Sequence, residues 1–409
     1  MRKSRSPLAI IFITVLIDLI GFGIVIPVLP LYAERFGASP LVIGLLLGVF
    51  SAMQFIFSPF LGRLSDRVGR RPVLLVSLIG TSIGFLVMGL AETLWLLFVA
   101  RIIDGISGAN ISTAQAYIAD VTPPEERSRS MGLIGAAFGL GFIVGPALGG
   151  ALSNLSLAAP FFFAAALAAC NAVALYFFLP ESLTAEHRGE AGGRMSLAQV
   201  FEESGNWQLK AVMATYFFAT VAFAMLTATY PLFAQKRFGY DATHVGYIFA
   251  YVGLLGAVIQ GGLIGRLVKM FGEKTLAVVG TGFMALSMFA LPAGSTLLAL
   301  LAATTGISIG NSLATPTLNG LASKSAPAAF QGRIFGVLQS VASLARIVGP
   351  PLGGWLLERD RISRYGLTPY WAGAVLMLIA MGLALTLSAR MEYAGNGAIR
   401  LEGQGREGS

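Results

Sequence analysis

An all-α membrane protein, with twelve transmembrane helices in two pseudo-symmetric six-helix bundles, is the fold class that three observations predict. Charged residues make up only 12% of the 409, 28 basic and 20 acidic, where an average soluble chain carries about 25%. Hydrophobic residues account for 56% with 50 glycines besides, and the mean hydropathy is +0.76; no water-exposed surface could absorb that composition. Twelve runs long and apolar enough to span a bilayer, each of roughly 20 residues, follow one another along the chain, and the first six resemble the last six.

The runs lie at 8–32, 41–62, 72–91, 94–118, 130–152, 158–180, 209–234, 243–265, 275–293, 296–322, 333–357 and 367–389. They are continuous rather than alternating, which excludes a membrane β-barrel. The first follows Arg2, Lys3 and Arg5 as a signal peptide would. It is too long for a signal h-region, holds Asp18 at its centre and lacks a small-x-small cleavage site, so it reads as a retained first helix. Residues 1–180 therefore form one six-helix bundle and 209–390 a second. The hydrophilic stretch 181–208 joins them, with Ser196 and Gln199 spaced as a capping box. Residues 391–409, rich in glycine and charge, read as a disordered tail.

Charge placement orients the chain. With both termini in the cytoplasm, inside loops collect 20 of the 28 Lys and Arg, outside loops 6, and Arg101 and Arg346 fall within spans; this is the positive-inside asymmetry. The net charge of +8 thus reports topology, and no nucleic-acid partner is expected. One cysteine, Cys170, excludes an internal disulfide framework, and two histidines, His187 and His244, argue against a histidine-rich metal site. No P-loop, paired-histidine motif or nucleophile elbow is present, so the chain is not read as an enzyme and no cofactor is expected.

The halves repeat. Pro30-Leu31-Tyr32-Ala33 returns as Pro231-Leu232-Phe233-Ala234, Arg35-Phe36-Gly37 as Arg237-Phe238-Gly239, and Gly62-Arg63-Leu64 as Gly265-Arg266-Leu267, with Gly69 matched by Gly272. Gly145-Pro146-x-Leu148-Gly149-Gly150 returns as Gly349-Pro350-x-Leu352-Gly353-Gly354, at an offset that has drifted only from 201 to 204. Two homologous six-helix halves joined by a linker are the plan of transporters that rock about a midplane site.

Four motifs carry a family resemblance. Gly62-Arg63-Leu64-Ser65-Asp66-Arg67-Val68-Gly69-Arg70-Arg71-Pro72 stands between the second and third runs. Gly132, Gly141, Gly145, Pro146, Gly149 and Gly150 space the fifth, Gly21-x5-Pro27-Val28-Leu29-Pro30 ends the first, and Arg101-x2-Asp104-Gly105 lies in the fourth. In this order the motifs resemble the major facilitator superfamily, twelve-helix drug/proton antiporter subgroup. Asp18-x2-Gly21-x-Gly23 and Ala116-Tyr117-Ile118-Ala119-Asp120 are most similar to tetracycline efflux pumps. Those pumps carry acids in the third and ninth helices and a histidine in the eighth, where Gly84, Gly256 and Met284 stand here. The resemblance implies the major facilitator fold, multidrug efflux and antibiotic resistance, and a charge relay of Asp66, Arg70 and Asp120 that latches the outward-open state.

Residue chemistry adds the roles. Gly62 and Gly69 allow a short turn over 62–72, Asp66 can cap a neighbouring helix N-terminus, and Arg67, Arg70 and Arg71 hold the loop inside. The glycine ladder of the fifth run allows close helix packing, with a kink at Pro146. A charge at mid-span costs roughly 2.5–3.5 kcal/mol on insertion scales, so Asp18, Arg101, Asp104 and Arg346 should face an aqueous cavity or pair. Asp104 is one turn from Arg101 and can pair with it. Asp18 has no charged neighbour on its own helix, which makes it the first candidate to load and release protons, Asp104 the second, with Arg101 tuning them; the other reading of Asp18 is a partner for polar groups of the fourth run. Phe22, Asn110, Gln115, Tyr216, Tyr230, Asn311 and Arg346 are the candidate substrate-cavity residues. The expected activity is export of small hydrophobic or amphipathic drug-like compounds in exchange for protons, by a monomer in a bacterial-type inner membrane. A sugar, metabolite or lipid exporter of the same fold, and a non-transporting receptor or scaffold, are the alternatives.

Overall fold

The computed structural model describes residues 7–108, 110–123, 126–183, 207–324, 331–360, 364–388, 392–394 and 398–400. Among these, twelve helices are long and apolar enough to cross a membrane: Pro7–Glu34, Pro40–Val68, Arg70–Gly89, Leu94–Val121, Ser130–Ser153, Ala159–Phe178, Trp207–Phe238, Ala242–Phe271, Glu273–Ala293, Leu297–Lys324, Ile334–Glu358 and Leu367–Leu385. They are called spans one to twelve below. The expected all-α class is the one observed, apart from a short antiparallel pair, Glu392–Ala394 with Ala398–Arg400. Ser196 and Gln199 lie outside the described residues.

Local chemistry sets the ends. Span two starts where Ser39 accepts a hydrogen bond from the Val42 amide and Pro40 takes the first helical position. Span four starts at Thr93, whose hydroxyl accepts from the Leu96 amide. Where the sequence suggests a turn over 62–72, span two instead stays helical to Val68 and one residue breaks the chain, Gly69 at φ +112°. Ser65 supports that extra length by donating its hydroxyl to the Gly62 carbonyl.

Two spans are irregular inside. Span four consists of Leu94–Ser107 and Asn110–Val121; Gln54 of span two donates to the Gly108 carbonyl at 2.8 Å, supplying a partner to backbone at the interruption. Span eight passes through a π-helical turn, Ile259–Leu263, at a Gln-Gly-Gly sequence.

The repeat is written in the backbone as well as in the letters. Of the five positive-φ residues among those described, all glycines, four form repeat pairs: Gly37 with Gly239, and Gly69 with Gly272. Left-handed backbone is steric ground that side chains avoid, so both halves reverse direction at equivalent places by the same device.

The chain divides into two compact units. One comprises Met1–Gly192, Thr227–Leu254 and Pro350–Ile362; the other comprises Gly193–Leu226, Leu255–Gly349 and Ser363–Ser409. In the first, span one lies along span five, and span three packs on spans four and six. Ile11, Val15, Leu78, Ala114, Ile118 and Leu175 make part of its core. In the second, span nine packs on spans ten and twelve, around residues such as Val212, Ala277, Leu318 and Ala384. Spans three and six expose apolar side chains in helical register, among them Val76, Ile79, Ile83 and Leu86, the surface expected against lipid.

The glycine ladder of span five has two working faces. A Cβ at Gly141, Gly145 or Gly149 would come within 2.6–2.9 Å of span one, at Leu19, Gly23 or Ile24. Around the helix, Gly150 lies against Gly246 and Gly253 against the Phe142 carbonyl, so span eight lies on the other face. The repeat-related contact is also present: Gly44 of span two meets Pro350, and Gly354 meets Pro40. Gly132, expected in the same ladder, has nothing near its missing Cβ. Gly246→Leu should therefore destabilise the protein in detergent by about 1–3 kcal/mol through overpacking, while Gly132→Ala, at a helical position with open space, should cost nothing and gain up to about 1 kcal/mol from helix propensity; thermal melts of the purified variants check both.

Candidate functional site

Asp18 sits midway along span one, half-buried, and the Asn110 amide nitrogen donates to its Oδ1 at 2.8 Å. Asn110 itself is 1% exposed and opens the second part of span four. Before the interruption, Arg101 and Asp104 form a buried ion pair at 2.9 Å, with exposures of 2% and 5%. The spacing of one helical turn put both on one face. Asp104 fits because span three carries Gly84 there: a Cβ at that position would stand 3.0 Å from Asp104 Cβ. The Arg101 guanidinium also lies over the Phe50 ring, 4.2 Å from its centroid, a cation–π contact that partly replaces lost hydration.

Aromatic rings adjoin this cluster. Phe22 contacts Phe50 and Phe142, each at 6.0 Å between centroids, and Phe142 stacks with Phe138 at 6.5 Å. Spans one, two, four and five thus bring two carboxyls, one guanidinium, an amide and four phenyl rings together. Chemically the group can exchange a proton at Asp18, hold a fixed ion pair beside it and present flat apolar surface.

The loop motif forms a second cluster. Arg70 donates to Asp66, to Ser65 Oγ at 2.7 Å and to Asp120 at 3.1 Å, so the three charged residues of the expected relay do meet. The cap on span three is a correction to the sequence reading: Glu181 takes the place proposed for Asp66. Its carboxylate accepts from the Arg70 and Arg71 amides at 2.8 and 3.2 Å, a carboxylate at the positive end of a helix dipole. Asp66 is instead occupied with Arg70. Ser182 donates to Asp120 at 2.9 Å, Tyr117 donates to the Pro180 carbonyl, and Arg71 reaches the Tyr176 carbonyl. Gly62 is buried and Arg67 exposed. Glu181 was missed because it lies 111 residues from Arg70; Pro180-Glu181-Ser182 directly after an apolar run was the available signal.

Of the remaining candidates, Tyr216, Asn311 and Arg346 belong to the second compact unit. Tyr216 and Arg346 are electrostatic neighbours, Arg346 donates to Ser343 at 3.2 Å, and Asn311 accepts from Thr315 at 3.1 Å. The π turn of span eight carries Gln260, which donates to Ser312 at 3.5 Å; in the sequence it is a lone amide inside an apolar run. Gln115 is exposed. Tyr230 is 1% exposed and packed against Phe233 and Phe249, a core position rather than a cavity surface. Thr220, Thr304 and Thr305 turn their hydroxyls back to carbonyls of their own helices.

A hollow of ≈ 510 Å³ lies at the far ends of spans one, five, seven and eight, lined by Glu34, Arg35, Asn154, Gln235, Asp241 and Thr243 among others. Glu34 pairs with Lys236 at 3.0 Å beside it. Burial alone would raise the Asp241 carboxyl, but hydrogen bonds from the His244 amide and ring outweigh it and hold Asp241 below the usual carboxylate range.

The sequence profile of the Major Facilitator Superfamily matches residues 11–350 and 261–399. The chain is 35% identical to the class C tetracycline resistance protein of Escherichia coli over 389 residues, covering 93% of this chain and 96% of the relative. It is 32% identical to multidrug resistance protein 2 of Bacillus subtilis, covering 94% and 97%. Among solved structures, a bacterial homolog of the human lysosomal transporter Spinster, in an inward-facing and unoccupied conformation, superposes with a TM-score of 0.78 at 17% identity, covering 94% and 97%.

The Glu181 cap can be tested by a double-mutant cycle. Glu181→Ala should lower stability by about 1 kcal/mol. Gly69→Ala should cost more, because its Cβ meets that carboxylate and its φ is left-handed. Combining the two should recover the clash but not the strain, so the melting temperature of the double variant should lie above the value that additivity gives.

Proposed function

The chain belongs to the major facilitator superfamily, a transporter rather than an enzyme family, and on that footing we propose that it exports small hydrophobic or amphipathic drug-like compounds in exchange for protons by alternating access. The relatives named for tetracycline and multidrug resistance support drug export as the class of activity. The single observation that carries proton coupling is Asp18: a half-buried carboxyl within a span, held by a neutral amide rather than a cation, next to a second carboxyl already paired with Arg101. Asp104 has a fixed counter-charge in Arg101 that favours its ionised form, whereas Asp18 is held by an amide and has no counter-charge to lose when it takes up a proton.

In this reading a proton arriving from outside loads Asp18 and lowers the site's affinity for cargo, which leaves outward; rocking back then exposes Asp18 to the cytoplasm and releases the proton. Asp66, Arg70 and Asp120 latch one end of the cycle. The rings of Phe22, Phe50, Phe138 and Phe142 give flat apolar cargo a surface. Tetracycline pumps resemble this chain but carry an acid where Gly84 stands, and here Asp104 packs onto that glycine from span four. A relocated carboxyl favours a cargo range different from tetracycline alone. Both bundles, 1–180 and 209–390, act within one monomer, with termini in the cytoplasm of a bacterial inner membrane and the proton gradient as energy source, without a cofactor.

Asp18→Asn in proteoliposomes should lose pH-gradient-driven efflux by about a hundredfold, the scale of a removed proton-transfer group, while exchange of labelled for unlabelled cargo persists. Wild-type gradient-driven rates in that variant would remove Asp18 from the mechanism. Expression in a pump-deficient bacterial host, profiled against tetracycline and a panel of lipophilic cations, should raise tolerance to several panel members; protection against none would overturn drug export.

A further inference from the structure

Asn110 is 1% exposed and its amide is turned to Asp18. Its nitrogen donates to the carboxylate at 2.8 Å, while its own Oδ1 is buried without a hydrogen-bond partner. Thr14 Oγ1, one turn from Asp18 on span one, and Thr113 Oγ1, one turn from Asn110, are likewise buried and unpartnered. Buried carbonyl oxygens are almost always satisfied, so an unsatisfied one beside a titratable carboxyl asks what it is kept for.

The two protonation states of a carboxyl need opposite partners. A carboxylate only accepts; a carboxylic acid donates through its O–H. A side-chain amide carries a donor and an acceptor on one pivot, and half a turn exchanges them. Resting on Asp18 as the proton carrier, we propose that Asn110 is a positioning residue that partners both states of that carboxyl, donating from Nδ2 to the carboxylate and, turned over, accepting at Oδ1 from the acid.

The surroundings suit this. Among the described residues the charged group shown to interact with Asp18 is Asp104, on the first part of span four, where it is bonded to Arg101. Spans five and six, which also pack on span one, bring Phe142 to Phe22 and the Asn171 amide to the Thr14 carbonyl, and neither residue titrates. Asn110 is thus the polar side chain shown bonded to Asp18, and it stands just after the interruption of span four, whose Gly108 carbonyl is held separately by Gln54. Turning the amide therefore changes what ties span one to the second part of span four, without disturbing the Arg101–Asp104 pair on the first part.

Infrared pH titration of the purified full-length chain in detergent tests this without knowledge of the cargo. Wild type should show a carboxylic-acid band that Asp18→Asn removes. In Asn110→Val, similar in size but without donor or acceptor, that band should move to higher wavenumber as the acid loses its acceptor. After a pH jump its appearance should slow about tenfold, the factor equivalent to one hydrogen bond of ordinary net strength. Asn110→Thr, with a hydroxyl that both donates and accepts, should restore most of both. A measurement on wild type needs no folded valine variant: the side-chain amide band that Asn110→Thr removes should titrate with the same midpoint as the Asp18 band. An Asp18 band unmoved in Asn110→Val, or an amide band indifferent to pH, overturns the role of Asn110. The absence of any titrating band lost in Asp18→Asn instead overturns the carrier reading on which it rests.

Discussion

Hydrocarbon offers a polar group no partner, and nearly every feature of this molecule answers to that constraint. Arg101 is bonded to Asp104 one turn away and roofed by the Phe50 ring. Asp18 has Asn110. Thr215, Thr281 and Thr317 return their hydroxyls to carbonyls one turn back. Even the interruption of span four has its Gly108 carbonyl supplied by Gln54. A group that satisfies this constraint with a fixed partner becomes structure. A group whose partner can serve two states is able to do work.

The second organising element is backbone approach. Without a hydrophobic force between helices in lipid, association relies on close packing, and small residues permit it. Span five meets span one on the Gly141, Gly145 and Gly149 face and span eight on the Phe142, Pro146 and Gly150 face. The Gly44–Pro350 and Gly354–Pro40 approaches repeat the second of these contacts at repeat-equivalent positions. One duplicated stretch of sequence thus supplies the same contact twice. The charged loop does not follow the symmetry: Asp66 of the first copy faces Arg70, and the equivalent position of the second copy is Lys269.

The candidate site was legible in unequal parts. Asp18, Arg101 and Asp104 stood out because a charge in an apolar run costs several kcal/mol and must have a reason, and their one-turn spacing implied the pair. The relay partners were legible only through resemblance, since Asp120 lies 50 residues from Arg70. Glu181 and Gln260 were not singled out: the first follows an apolar run at the edge of a hydrophilic stretch, the second sits in one, and neither position reveals what it faces. Tyr230 looked like a cavity residue because an aromatic hydroxyl in a span resembles one, and packing against Phe233 and Phe249 decided otherwise.

Class, span number, repeat and the scarcity of charge were determined by the sequence alone, because transfer of a residue between water and hydrocarbon is a local property that sums along the chain. What only the tertiary structure decided is which polar groups share a partner. That Asn110 is bonded to Asp18, that Glu181 rather than Asp66 caps span three, and that one ladder of glycines has two faces all depend on helices brought together from distant parts of the chain. Hydropathy records where a helix lies, and only packing records what it touches.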